Sequence, residues 1–111
     1  MTHSDGEARL RGMLGFARRA GKTVIGTELI CRAMPKRGDG RIRLVIISDK
    51  ASDATRKKLA VKCEFYGIDY VEVNMDTDEL GHLLGKQFAP AAVAVTDENF
   101  AREIKRALEP S

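Results

Sequence analysis

Residues 44–47 read Leu-Val-Ile-Ile without a polar interruption. A strand with one wet face alternates apolar and polar residues, whereas a short unbroken apolar run suits a strand covered on both faces. A chain carrying such a run must lay cover on both sides of a sheet. Tyr70-Val71-Glu72-Val73 and Ala92-Val93-Ala94-Val95-Thr96 read as two more strands, and Thr23-Val24-Ile25 is a brief strand or an extended link.

Helical patterns fill the intervals. Ser4-Asp5-Gly6-Glu7 has the form of a capping box, and Leu10, Met13, Leu14 and Ala17 follow at helical spacing until Gly21. Leu29, Ile30, Ala33 and Met34 make a second apolar face, closed by Pro35. Ser52 is placed to cap a helix turning Thr55, Leu59, Cys63 and Tyr66 inward and stopping at Gly67. Asp76 with Glu79 forms another capping box, opening a short helix through Leu80, Leu83 and Leu84 to Gly85. Phe100, Ile104, Ala107 and Leu108 form the inner stripe of a last helix. At 111 residues there is room for one core and not for two. The fold class expected is therefore α/β: a three-layer α/β/α sandwich around a small mixed sheet, in a single domain.

Several functions are poorly served by these residues. No apolar run approaches the length of a membrane span, and Met-Thr-His-Ser-Asp-Gly-Glu lacks the apolar stretch of a signal peptide, so the expectation is a cytoplasmic protein with no membrane partner. Cys31 and Cys63 read as two buried, reduced thiols, and with only His3 and His82 no metal-ligand spacing emerges. No cofactor or small-molecule substrate is expected. Gly21-Lys22-Thr23 invites a phosphate-loop reading, but that motif needs glycine where Phe16 stands, and here the segment closes a helix instead of opening one. Asp49 and Asp97 follow strands, where carboxylates serve equally as caps, and no nucleophile has a histidine base; the chain does not read as an enzyme.

Charge is more telling. Net charge is only +3, but Arg9 to Arg43 holds ten basic residues against Glu28 and Asp39, while the rest of the chain holds nine against fourteen acidic ones. That asymmetry points the N-terminal half at a polyanion. Gly26 and Thr27 open a helix whose first N–H groups have no intrahelical partner, a setting that favours a phosphate or an acceptor-rich base edge. Thr27 can cap or donate, Arg32 lies further along the same helix, and Arg18, Arg19 and Lys22 end the helix before. Glu28 supplies an acceptor for a guanine edge, or simply stabilises the first turn. A solvated turn, or a protein-interaction module docking an acidic partner through the basic half, explains the same charges.

Taken in order, GK, VIGTELICRA, LVIISDKAS, KCEFYGIDYVEV, ELGHLLGK and AAVAVTD resemble the small kink-turn RNA-binding ribosomal proteins, and most nearly their bacterial YlxQ-type branch. The resemblance covers residues 9–108 as an RNA-binding domain and leaves 1–8 as a flexible N-terminus. It implies a non-catalytic protein that binds kinked or internally looped RNA, ribosomal RNA included, as a monomer. In that family a Gly-Thr-Asn-Glu segment reads sheared G·A pairs, a basic residue touches the backbone, and a hydrophobic loop covers a flipped-out nucleotide. Gly26 and Thr27 match the segment's first two residues, while Glu28 stands where the family has asparagine and Leu29 where it has glutamate. Arg32 matches the basic position. Phe88, Ala89, Pro90 and Ala91 fall on the hydrophobic loop, and Lys50 lies after the Leu-Val-Ile-Ile-Ser strand. Arg19 and Lys22 complete the expected RNA-binding set.

Overall fold

A computed structural model describes residues 2–109. Nine elements follow in order: α1 (Thr2–Arg19), β1 (Thr23–Ile25), α2 (Thr27–Ala33), β2 (Leu44–Ser48), α3 (Asp53–Tyr66), β3 (Asp69–Val73), α4 (Thr77–Leu83), β4 (Ala92–Val95) and α5 (Glu98–Leu108). The sheet order is β1-β4-β2-β3. β2 and β3 run parallel, with Leu44 opposite Asp69, and β4 runs against both β2 and β1, with Val93 opposite Ile46 and Ile25.

The unbroken apolar strands do what their pattern demands. Leu44 and Ile46 of β2, with Val93 and Val95 of β4, pack under Leu10 and Leu14 of α1, Leu80 of α4 and Ile104 of α5. Val45 and Ile47, with Ala92 and Ala94, face the other way, onto Ile30 of α2 and Leu59 and Cys63 of α3. Every residue of β2 and β4 is buried. Side chains alternate faces along a strand, so continuous apolarity is the signature of two cores sharing one sheet. The three-layer mixed-sheet expectation is met.

Local signals set most helix ends. Ser52 accepts from Thr55 N at 3.2 Å, Asp97 from Phe100 N at 3.0 Å, and Asp76 and Glu79 form the reciprocal box at 2.7 and 3.3 Å. Each such cap is worth about 1 kcal/mol. Gly21, Gly67 and Gly85 close α1, α3 and α4 at φ near +70° (71°, 69° and 69°).

Three details depart from the sequence pattern. α1 begins at Thr2, so Ser4 lies inside it instead of at its cap and part of the 1–8 stretch is helical. Cys31 is half-buried and only Cys63 is buried; one position along a helix is a turn of about 100°, which takes Cys31 off the inward line of Ile30 and Met34. Tyr66 is exposed. It is the last residue of α3, where the chain leaves through Gly67, and its ring meets Phe65 edge-on at 4.9 Å instead of the core. Among the described residues no helix is long and apolar enough to cross a membrane, and no group of three His, Cys, Asp or Glu side chains is placed to hold a metal.

Candidate functional site

Strand direction decides which residues meet. Because β4 is antiparallel to β1 and β2, one end of the sheet collects the C-terminal ends of β1, β2 and β3 and the start of β4. Gly26 N donates to Ala92 O at 3.1 Å and Ser48 N to Ala91 O at 2.9 Å, so the segment before β4 is held between the exits of β1 and β2. Gly26, Lys50 and residues 88–91 therefore share this end of the molecule.

At its edge the chain turns sharply into α2. Gly26 has φ 102° and ψ 147°, a conformation open to glycine and costly for other residues. No side chain caps α2, in contrast to α3, α4 and α5. The carbonyl of Gly26 receives Ile30 N at 3.0 Å, and the amides of the first turn have no intrahelical acceptor. Above them lies a hollow of about 450 Å³ bounded by Gly26, Thr27, Glu28, Leu29, Arg32 and Phe88. Two of its walls are apolar side chains left half open to water, Leu29 at 53% and Phe88 at 54%.

A buried glycine places Phe88. Gly81 sits on the inner side of α4, and a Cβ there would fall 2.4 Å from the Phe88 carbonyl oxygen and 3.1 Å from the Pro90 ring. The segment thus lies directly on the helix backbone, with Pro90 buried as its anchor and Phe88 facing outward. Of the four residues expected in the hydrophobic loop, Phe88 alone lines the hollow; Ala89 is exposed beside it, and Pro90 and Ala91 tie the loop down.

The remaining cations divide. Lys50 lies at the right end of the sheet, but outside the hollow, with Nζ 3.8 Å from Asp49. Lys22 lies at the opposite end, where its carbonyl accepts from Thr96 N at 2.9 Å. Arg19 stands over the Phe16 ring at 4.9 Å. Three cations not in the expected set, Arg18, Lys36 and Lys86, join Arg32 along a groove of about 920 Å³ that continues from the hollow. Basic residues at the ends of three separate elements carry no common spacing in sequence: Arg18 was legible as a cation ending the helix before α2, Lys36 only as part of the charge surplus, and Lys86 not at all.

Catalytic arrangements are poorly supported. Asp97 is occupied as the α5 cap, and Asp49 follows β2 at the other end of the sheet, since β2 and β4 are antiparallel. The two carboxylates cannot work as a pair. Burial pushes the Cys63 thiol up to about 11, which leaves it protonated at neutral pH and inert as a nucleophile.

Comparison with known proteins bears on the family and the fold. The model of the ribosomal protein L7Ae/L30e/S12e/Gadd45 family matches residues 8–105. The chain is 37% identical over 92 residues to the RNA-binding protein YlxQ of Bacillus subtilis, covering 83% of this chain and 87% of that one. It is 29% identical over 98 residues to the RNA-binding protein YlxQ of Enterococcus faecium, covering 87% and 88%. Among solved structures, a protein of unknown function from Bacillus halodurans superposes with a TM-score of 0.78 at 32% identity, over 90% of this chain and 96% of that one. A 15.5 kD RNA-binding protein of Giardia lamblia shares the fold, with a TM-score of 0.72 at 16% identity over 92% and 83%.

Proposed function

Because the chain belongs to the ribosomal protein L7Ae/L30e/S12e/Gadd45 family, we propose that it is a non-catalytic protein that binds structured RNA through the hollow at the tip of α2. Kinked or internally looped RNA, ribosomal RNA included, is the target this reading assigns. The observation that carries it is the convergence, on one small concavity, of uncapped backbone amides, the Arg32 guanidinium, the Glu28 carboxylate and the Phe88 ring.

Each group has a partner in such an RNA. The free amides and the Thr27 hydroxyl donate to base acceptors or phosphate oxygens, and Gly26 without a side chain lets the nucleic acid come close to the backbone. Glu28 accepts from a guanine edge that non-Watson–Crick pairing leaves exposed. Phe88 and Leu29 offer an apolar surface to a base turned out of the helix, which a regular duplex does not present. Arg32 meets the phosphate backbone. The irregular, splayed form of the RNA is thus matched by a site with both polar and apolar walls.

Titration of the protein against a kinked, internally looped RNA and against an uninterrupted duplex of the same length, each at rising salt, tests the reading. The kinked RNA is expected to bind more tightly, and binding should fall steeply with salt because phosphates carry much of the affinity. Failure to bind any structured RNA would overturn it.

A further inference from the structure

Beyond the tip of α2 the groove follows the open edge of the sheet, and three of the cations that line it take no part in the hollow. Arg18 enters from the last turn of α1, Lys36 from the turn after α2, and Lys86 from the segment after α4. No carboxylate lines the groove. Among the described residues none of these three pairs with an acidic side chain. Like charges thus face one channel with no carboxylate among them, an arrangement that repels itself until an anion enters.

Backbone as well as side chains faces the channel. The floor is the edge of β1. Gly26 N and Lys22 O bond toward β4, so in this antiparallel ladder the peptide groups of Thr23 and Ile25 turn away from it, toward the groove. Ile25, Leu29, Arg32 and Phe88 line hollow and groove alike, making one continuous surface.

We infer that this groove holds the phosphodiester backbone of an RNA strand running on from the motif seated at the α2 tip, with Arg18, Lys36 and Lys86 neutralising its phosphates. The inference rests on the RNA reading above and adds to it a flanking, single-stranded segment as part of the ligand. Continuity with the hollow favours nucleic acid over an acidic peptide as the occupant.

The test compares a kinked, internally looped RNA with blunt ends and the same RNA carrying a single-stranded uridine extension on one strand or the other. Both are titrated against the wild type and the triple variant Arg18→Gln/Lys36→Gln/Lys86→Gln. All three side chains are exposed, so the variant is expected to melt as the wild type does. The expected result is that one extension tightens wild-type binding on the order of tenfold at low salt, and that the triple variant binds the blunt RNA as before but loses this gain. Its slope of log K against log salt on the extended RNA should be shallower by about two, from three lost contacts to a single strand. A variant that keeps the gain, or that weakens on blunt and extended RNA alike, overturns the inference while the RNA reading stands. A polyglutamate peptide that binds the wild-type groove more tightly than the uridine strand also overturns it, in favour of a protein partner. If the wild type binds neither RNA, it is the proposed function that falls.

Discussion

Arg32 lines both the hollow and the groove and, among the described residues, makes no ion pair. Its loss should therefore be felt by the ligand and not by the fold. Arg32→Ala is expected to weaken RNA binding by about 1–2 kcal/mol, the scale of one charge-assisted hydrogen bond, with no change in melting temperature; isothermal titration beside a thermal melt separates the two effects. Leu29, which the resemblance sets against a family glutamate, is 53% exposed on the wall of the hollow. With so little apolar burial at stake, Leu29→Glu should leave the fold intact, return an acceptor to the site and tighten binding to a kinked RNA. A loss of affinity in a filter-binding assay would count against aligning Leu29 with the family glutamate.

At the scale of elements, the contact between α4 and the segment before β4 sets the site's shape. Gly81 carries that contact, because the carbonyl of Phe88 occupies the place its side chain would take. Here the obstacle is backbone, which cannot swing aside as a side-chain tip can. Gly81→Ala is expected to destabilise the protein by about 1–3 kcal/mol, the usual cost of overpacking, and to weaken RNA binding by displacing Phe88. Chemical denaturation gives the first effect, and titration with a kinked RNA the second. The helix caps were visible in sequence because Ser52, Asp76 and Asp97 act within three residues of themselves. The capping-box form at Ser4 to Glu7 was equally visible and is not used as one, since α1 extends past it to Thr2.

For the whole molecule, the decisive feature is one sheet serving two cores. Side chains of β2 alternate between the layer of α1, α4 and α5 and the layer of α2 and α3, so neither layer has a complete core without the other's strands. Equilibrium unfolding is therefore expected to be a single transition. Leu59→Ala, which empties a fully buried place in the α2 and α3 layer, should cost about 2–5 kcal/mol and shift the midpoint without splitting the curve, whether followed by far-ultraviolet circular dichroism or by tyrosine fluorescence. Two resolved transitions would mean the layers fold apart.

Fold class and most elements were legible along the chain, since apolar runs, helical spacing, caps and glycine stops all act over a few residues. The family likeness added the tip of α2 and a hydrophobic loop before the last strand. Tertiary structure alone decided which charges meet. The antiparallel course of β4 brings Phe88 beside Gly26 and keeps Asp97 from Asp49, and the ends of α1, α2 and α4 bring Arg18, Lys36 and Lys86 to one groove. A local pattern records which way a side chain faces on its own element; where that element lies against another depends on packing between residues far apart in sequence, and no short stretch carries that information.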